Sequence, residues 1–132
     1  MMKKVLFVCV ENSCRSQMAE AFGKIHGQGI IGSYSSGSRP SGVVNEKAVA
    51  AMKDIGYDLT THISKSLDDI PQVEFDYAIT MGCGDECPSI RARKRVEWKI
   101  PDPKNMEMAD FRQVRNTIKE KVSRLIEEIK ET

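Results

Sequence analysis

Residues 5–16 read VLFVCVENSCRS, and this stretch decides the fold of the chain. A short apolar run ends on Cys9, Arg15 follows six positions later, and a helical pattern of apolar residues starts at Ser16. The pattern predicts a buried strand, a loop and a helix N-terminus in immediate succession. Such a loop turns backbone N–H groups inward at the positive end of the helix dipole, so it attracts tetrahedral oxyanions. A cysteine at this position is favoured as the thiolate, the form that acts as a nucleophile.

The rest of the chain alternates between helix-like and strand-like segments. The first helix is predicted to end at Gly27, and a second helix, capped by Asn45, to end at Gly56 in the left-handed conformation. Asp110 and Gln113 resemble a capping box at the start of a long final helix. Its apolar stripe is Phe111, Val114, Ile118, Val122, Leu125, Ile126 and Ile129. The predicted inner faces of the first two helices are Met18, Ala19, Phe22 and Ile25, and Ala48, Val49, Met52 and Ile55. The predicted strands are residues 4–8, 30–34, 75–81 and 95–100.

Strands that alternate with helices predict a parallel sheet covered on both faces. We therefore expect an α/β fold with three layers, α/β/α, around a central four-stranded parallel sheet. Residues 1–132 are treated as a single domain, since a chain of this length buries roughly two-thirds of its unfolded surface. Ligands of such sheets bind beyond the carboxyl ends of the strands. Cys9, the pair Gly82-Cys83 and Asp102 each lie just after the end of a predicted strand, so one crevice can hold all three.

The composition argues against several classes of function. A net charge of +1 argues against a general nucleic-acid binder or a protein of the membrane surface, and 6% aromatic residues argue against a base-stacking platform. No segment approaches the roughly 18–20 apolar residues of a membrane span, and the run after Lys3 and Lys4 is too short for a signal peptide. We therefore expect a cytoplasmic protein. In a reducing cytoplasm, four cysteines are more often catalytic, redox-active or metal-binding than structural bridges.

The loop and the residues after it resemble a known family. Cys-x5-Arg-Ser follows the first strand, with Asn12 inside it and Gln-Met-Ala-Glu at residues 17–20 beyond it. This arrangement resembles the low-molecular-weight protein tyrosine phosphatase superfamily. The resemblance continues through residues 45–48, residues 79–81 and the pair Asp102-Pro103, so it covers essentially the whole chain. It implies the flavodoxin-like fold of that superfamily.

Within the superfamily, the chain looks most like the arsenate reductases that thioredoxin recycles. One reason is the pair Cys83 and Cys87, because a plain phosphatase needs no such thiols. The other is that Lys104-Asn105 follow Asp102-Pro103, where the phosphatases have aromatic residues that shape a phosphotyrosine pocket. The resemblance therefore implies reduction of arsenate to arsenite, as in arsenic detoxification.

The resemblance also implies a role for each loop residue. Cys9 would attack arsenic, and Arg15 would hold two oxygens of the anion with its planar guanidinium. Ser16 would stabilise the Cys9 thiolate with a hydrogen bond, and Asp102, when protonated, would donate to the leaving hydroxyl as general acid. Asn12 would hold the shape of the loop. Arsenate, or its mimics phosphate and sulfate, would lie against the backbone of Val10, Glu11, Asn12, Ser13, Cys14 and Arg15.

By the same resemblance, two further thiols complete the reduction. Cys83 would attack the sulfur of Cys9, releasing arsenite, and Cys87 would then attack Cys83. The resulting Cys83–Cys87 disulfide would be reduced by external thioredoxin or a glutaredoxin-like dithiol protein. We expect no tightly bound cofactor, no metal, no nucleic-acid partner and a monomer.

Two other functions stay open at this stage. One is a low-molecular-weight protein tyrosine phosphatase that uses Cys9, Arg15 and Asp102, with water as the second nucleophile. The other is a non-catalytic protein that binds an oxyanion or senses a metal and uses its thiols only to hold the ligand. The four cysteines could also bind zinc, although a loop built for anions suits a cation poorly.

Several single residues have more than one interpretation. Cys14 is more readily a packing residue than a catalytic one, or it could form a protective disulfide with Cys9. The carboxylate of Glu11 is expected to point away from the anion, which it would otherwise repel. The basic run at residues 91–95 is interpreted as a solvated loop, with attraction of an anionic substrate or an acidic partner as the alternative. His26 and His62 lie far from every motif and receive no role.

Overall fold

The computed structural model describes residues 2–82 and 90–131. The predicted first strand is β1 (Lys3–Cys9), and the loop after it leads into helix α1 (Arg15–His26). The other strands are β2 (Ile31–Gly37), β3 (Phe75–Met81) and β4 (Ala92–Trp98), and the other α-helices are α2 (Glu46–Lys53) and α3 (Met108–Lys130). Two short 3₁₀ helices, Leu59–Thr61 and Leu67–Asp69, lie between α2 and β3.

The four strands form one parallel sheet in the order β2-β1-β3-β4. β1 pairs with β2 from Lys3 opposite Ile31 to Cys9 opposite Gly37, and with β3 from Val5 opposite Tyr77 to Val8 opposite Thr80. β3 pairs with β4 on its other side. The α/β fold with a central four-stranded parallel sheet is confirmed.

The two faces of the sheet are covered by different elements. Val5, Phe7 and Ile79 belong to one core cluster that also contains the buried side chains of α1, α2 and α3. On the other face, Leu6 and Val8 pack in a smaller cluster with Ile70, Phe75, Ala78 and Ile90. In the described part of the chain, this second layer is made of the segment around the 3₁₀ helix Leu67–Asp69. The last helix buries the predicted stripe, from Phe111 to Ile129.

The structure corrects several predicted boundaries. The helical faces were extended too far, because Ile25 and Ile55 are exposed near the ends of α1 and beyond α2. Helix α3 starts three residues earlier than the predicted capping box allows, and its N-cap, Glu107, makes no side-chain capping bond. Strand β2 extends to Gly37, into the segment predicted as loop. The prediction for α2 was better: the Asn45 side chain accepts from the Lys47 N–H, and Gly56 has φ of 83°.

The largest correction concerns β4. The strand covers Ala92–Trp98, not residues 95–100, so most of the basic run at residues 91–95 is strand and not solvated loop. The physical reason is that β4 pairs with β3 on one side only and leaves most of its side chains in water. Charged residues are typical of such edge strands, and they hide the alternating pattern that marks a buried strand.

The carboxyl ends of β1, β3 and β4 position the site. β1 ends on Cys9, Gly82 directly follows β3, and the chain after β4 leads to Asp102. No helix within residues 2–82 and 90–131 is long and apolar enough to cross a membrane.

Candidate active site

The loop between β1 and α1 turns its carbonyl groups toward the surrounding protein. The Cys9 carbonyl accepts from the Ser38 N–H at 3.3 Å, and the Val10 carbonyl accepts from the Arg39 N–H at 2.8 Å. The other four carbonyls of this loop are also hydrogen-bonded on that side. Their donors are Ser41 N–H and Ser64 Oγ for Glu11, Gln17 Nε2 for Asn12, Asn45 N–H for Ser13 and Met18 N–H for Cys14.

This arrangement fixes where the N–H groups point. In a trans peptide the carbonyl and the next N–H point in opposite directions. Because six successive carbonyls point outward, the N–H groups of residues 10–15 point toward the centre of the loop. Helix α1 adds the positive end of its dipole, and its N-cap, Cys14, makes no side-chain capping bond. The loop is therefore a concave surface of N–H donors, which suits a tetrahedral oxyanion.

A group of buried side chains, which we call the floor, lies under this surface and consists of Cys9, Asn12, Ser16 and Gln17. The Cys9 sulfur lies 2.9 Å from Ser16 Oγ, and Asn12 Nδ2 donates to the same oxygen at 2.7 Å. Ser16 Oγ thus accepts from Asn12, which leaves its own proton to donate to the sulfur. A donated hydrogen bond stabilises a thiolate relative to a thiol.

Asn12 has φ of 51°, in the left-handed region that asparagine tolerates better than most residues. Its side chain is buried, and its Oδ1 accepts from Gln17 Nε2 at 2.8 Å and from the Lys65 N–H at 2.8 Å. These contacts hold the strained turn in place. The role of Asn12 in shaping the loop stays a prediction, which a test of these contacts by mutation can check.

Arg15 lies at the side of the cavity with its guanidinium almost fully buried. Nη1 donates to the Ile100 carbonyl at 3.0 Å, and Nη2 lies 3.8 Å from an Asp102 carboxylate oxygen. Gly82 has φ of 72°, and a Cβ at this residue would lie 2.0 Å from Arg15 Nη1. Glycine is therefore required here both by the backbone conformation and by the close approach of the guanidinium.

Three charged side chains, Glu11, Asp102 and Lys104, form what we call the rim. Lys104 Nζ lies 2.9 Å from Glu11 Oε2, and the Lys104 N–H donates to Asp102 Oδ1 at 3.1 Å. The hydrogen bond to Glu11 raises the pKa of Lys104 above its ordinary value. The carboxylate of Glu11 is thus balanced by a cation, which reduces its repulsion of an anion in the loop.

Cys14 is the second cysteine of the loop, and it is buried. Burial raises the pKa of the Cys14 thiol to about 11, and the hydrogen bond with Ser13 only partly opposes this. Cys14 therefore remains a neutral thiol at neutral pH, as expected of a packing residue rather than a nucleophile. Both Cys9 and Cys14 are free thiols.

The predicted residues come together around one cavity of about 390 Å³. Asn12 and Ser16 do not line it and act from below, in the floor. Cys83 and Cys87 lie outside the described residues. The residues that line the cavity are Cys9, Val10, Glu11, Ser13, Cys14, Arg15, Gly82 and Asp102.

In residues 2–82 and 90–131, no group of three or more His, Cys, Asp or Glu side chains could hold a metal ion.

Several residues that support the site were missed from the sequence. Gln17 is fully buried in the floor, and His62 hydrogen-bonds to it from 45 residues away at 2.9 Å. Gly37 lies against the loop, because a Cβ there would meet the Val10 carbonyl oxygen at 2.6 Å. Gln17 belongs to the motif at residues 17–20, so the sequence did contain a signal that this residue supports the site. Nothing in the local sequence around His62 or Gly37 indicates these contacts.

A protein-family model described as low molecular weight phosphotyrosine protein phosphatase matches residues 4–132. The chain belongs to this family. A glutaredoxin arsenate reductase of Synechocystis sp. is 38% identical over 131 residues, which are 97% of this chain and 99% of the relative. An arsenate reductase of Staphylococcus aureus is 39% identical over 122 residues, 89% of this chain and 91% of the relative.

A solved structure described as an arsenate reductase in the phosphate binding state superposes on this family member with a TM-score of 0.88. It is 38% identical and covers 97% of this chain and 99% of its own. The resemblance predicted from the sequence, to arsenate reductases within the low-molecular-weight phosphatase superfamily, is confirmed.

Proposed function

We propose that this protein reduces arsenate to arsenite. The observation that carries the proposal is the cavity in which the Cys9 sulfur, the inward N–H groups and Arg15 converge. Arsenate and phosphate share shape and charge, so a surface that fits one fits the other. The similarity to arsenate reductases over nearly the full length, including one in a phosphate binding state, supports arsenate as the substrate.

In the first step, the Cys9 thiolate attacks arsenic and an arsenate oxygen leaves. The inward N–H groups and Arg15 hold the remaining oxygens and stabilise the charge that builds on them. Asp102 lines the cavity, with a carboxylate oxygen 3.8 Å from Arg15 Nη2, and would protonate the leaving oxygen so that water departs. The product of this step is a Cys9–arsenic bond, and arsenic is still pentavalent.

In the second step, the Cys83 thiolate attacks the Cys9 sulfur. The sulfur–arsenic bond breaks and its electron pair stays on arsenic, which becomes trivalent and leaves as arsenite. The two sulfurs are thereby oxidised to a Cys9–Cys83 disulfide. Cys87 then attacks Cys83, frees Cys9 and leaves a Cys83–Cys87 disulfide. Three of the four cysteines of the sequence, Cys9, Cys83 and Cys87, suffice for this two-electron relay.

An external dithiol protein must return two electrons to the Cys83–Cys87 disulfide. We propose thioredoxin or a glutaredoxin in this role. The name of the Synechocystis relative supports the glutaredoxin branch. Both carriers operate in a reducing cytoplasm, and we propose that this protein is also cytoplasmic. We further propose that it is a monomer.

A coupled assay tests the proposal. Arsenate is incubated with the protein, NADPH and either thioredoxin with its reductase or glutaredoxin with glutathione and glutathione reductase. We expect arsenate-dependent loss of NADPH with one of the two systems, and its abolition in Cys83→Ser and Cys87→Ser. Ser89→Ala, a change in the same segment that removes no thiol, is the matched control. Wild-type turnover in both cysteine variants would refute the relay.

Phosphatase activity is the second candidate, and membership of the phosphotyrosine phosphatase family favours it. It needs only Cys9, Arg15, Asp102 and water. Hydrolysis of p-nitrophenyl phosphate that survives in Cys83→Ser and Cys87→Ser, without arsenate turnover in the wild type, would favour this candidate.

A protein that only binds its ligand would show one bound oxyanion per chain and no turnover in either assay.

A further inference from the structure

A continuous chain of hydrogen bonds connects Cys9 with two residues outside the loop. Tyr57 OH lies 2.6 Å from His62 Nε2, and His62 Nδ1 lies 2.9 Å from Gln17 Oε1. Gln17 Nε2 then contacts Asn12, which contacts Ser16, which contacts the Cys9 sulfur. Each contact lies within hydrogen-bond distance, and the direction of each can be assigned from its surroundings.

The orientation of the Gln17 amide is set by three oxygens. Its Nε2 lies 3.1 Å from the Asn12 carbonyl, 2.8 Å from Asn12 Oδ1 and 3.0 Å from the Ile63 carbonyl. The reverse orientation would place Oε1 against three acceptors, which is unfavourable for a buried group. Gln17 Oε1 therefore faces His62 as an acceptor, and His62 Nδ1 must carry the proton.

The surroundings of His62 keep its ring neutral. Burial lowers its pKa below the ordinary value, the opposing charge of Glu20 does not offset this, and Lys24 and Lys65 lower it further. Glu20 Oε1 lies 3.9 Å from Nδ1, too far for a hydrogen bond. In a neutral ring with its proton on Nδ1, Nε2 is an acceptor, and Tyr57 OH donates to it. Tyr57 thus selects the tautomer that Gln17 requires.

The remaining directions follow from Asn12. Its Oδ1 accepts from Gln17 Nε2 and from the Lys65 N–H, so its Nδ2 faces Ser16 and donates. Ser16 Oγ, already an acceptor, donates to Cys9. Every bond from Tyr57 to Cys9 therefore donates in the same direction, toward the sulfur. Bonds aligned in this way polarise one another and strengthen the last one.

We propose that His62 is a positioning residue for Cys9: held by Tyr57, it orients Gln17 and Asn12 so that Ser16 donates its proton to the thiolate. His62 acts through other residues and lines no part of the cavity. The inference rests on Cys9 as the nucleophile of the proposed function, and it adds two residues, His62 and Tyr57, that lie outside the loop motif.

The test is the pH profile of Cys9 alkylation by iodoacetamide, followed by peptide-resolved mass spectrometry on the reduced protein. His62→Phe keeps a ring but removes the donor, and we expect the midpoint of the profile to move upward by about half a pH unit, roughly a threefold weaker preference for the thiolate. His62→Asn keeps an N–H donor near the position of Nδ1 and should restore the profile. Tyr57→Phe should give a smaller upward shift.

The matched control is His26→Phe, since His26 is an exposed histidine that stacks on Phe22 outside the chain of hydrogen bonds. It should leave the profile unchanged. Arsenate kinetics provide a second readout, with a several-fold lower kcat and little change in KM expected for His62→Phe. An unmoved profile in His62→Phe, or a shift that His62→Asn fails to restore, would overturn the inference.

Alkylation requires neither arsenate nor the relay cysteines, so the two proposals fail in different ways. The expected shift in the profile without arsenate turnover would refute the proposed function and support the positioning role. Normal arsenate turnover with an unmoved profile would refute the positioning role alone.

Discussion

The floor and the rim of the site lie on two sides of the same loop but are built from different interactions. Asn12, Ser16 and Gln17 in the floor are completely buried and joined by hydrogen bonds between neutral groups. In the rim, the Lys104–Glu11 pair and the carboxylate of Asp102 are exposed to water, with the Asp102 side chain at 52%, whereas Arg15, which Asp102 faces, is buried. A lost hydrogen bond in a buried network leaves an unsatisfied group, whereas water replaces an exposed ion pair at little cost. Substitutions in the floor should therefore reduce activity far more than substitutions in the rim.

The largest effect is expected for Asn12→Ala. The change removes the side chain that joins Gln17, Lys65 and Ser16, and it places alanine at φ of 51°. Loss of this buried network should lower kcat/KM for arsenate by about 100-fold, measured by steady-state kinetics.

Asn45→Ala is the matched control for that change. Asn45 caps α2, so its replacement by alanine should lower the stability by about 1 kcal/mol with little change in kcat/KM. Equal losses of activity in the two variants would show that the floor has no special role.

A smaller effect is expected for Gly82→Ala, which tests how closely the protein surrounds Arg15. The new Cβ would displace the guanidinium, so we expect KM for arsenate to rise by about tenfold or more through the loss of a bidentate contact. Steady-state kinetics and a titration with phosphate measure the effect.

Gly29→Ala separates steric displacement from backbone strain. Gly29 has φ of 76°, lies between α1 and β2, and a Cβ at this residue would meet no atom within 4 Å, so the change adds a similar strain away from the loop. If both glycine variants raised KM equally, displacement of Arg15 would not be the cause.

Glu20→Gln tests the buried charges that support the floor. Burial alone would raise the pKa of Glu20, but hydrogen bonds from Lys24 and Ser35 and the charge of Lys65 outweigh it, so the pKa lies below its ordinary value. The resulting stability is present above the unfolded-state pKa and is lost as pH falls through the folded-state pKa. The free energy of unfolding of the variant should be lower than that of wild type by about 2 kcal/mol at pH 7. This difference in unfolding free energy should become smaller as the pH falls.

Urea unfolding between pH 7 and pH 3 measures this difference. The control is Glu120→Gln, which removes an exposed pair with Arg124 on α3 and should cost under about 0.5 kcal/mol. If the difference in unfolding free energy between wild type and Glu20→Gln stayed constant across this pH range, Glu20 would not be a charged group that stabilises the fold.

The smallest effect is expected in the rim, for Lys104→Met. The variant breaks the exposed pair with Glu11, so kcat/KM for arsenate should fall by less than about threefold and the stability of the fold should hardly change. The expected fall should be greater at low ionic strength, where the uncovered Glu11 carboxylate repels arsenate more strongly. A loss as large as that of Asn12→Ala would mean that rim and floor are equally critical.

The sequence predicted the part of the molecule whose signals are local. The strand, the loop and the start of α1 follow from residues 5–16, and the cap of α2 follows from Asn45, because these patterns reflect neighbours along the chain. The apolar stripe of α3 was also readable, since its period is that of the helix itself. Cys9 and Asp102 could be placed in one crevice because parallel strands end at one edge of a sheet.

The features that the sequence did not predict depend on contacts between distant residues or on the exposure of side chains to solvent. Strand β4 was misplaced because an edge strand rich in Arg and Lys lacks a buried face. His62 appeared isolated in the sequence, although it joins Gln17 across 45 residues, and Gly82 gave no sign that it borders Arg15. The inner faces of α1 and α2 were extended too far because periodicity alone does not mark where burial ends.

The most direct test of the central claim is a single turnover without any reductant. Reduced protein is mixed with excess arsenate, and arsenite, free thiols and disulfide-linked peptides are measured. The account predicts one arsenite released and two thiols lost per chain, with the disulfide between Cys83 and Cys87, and neither event in Cys9→Ser. Bound arsenate with no arsenite and no loss of thiols would contradict it.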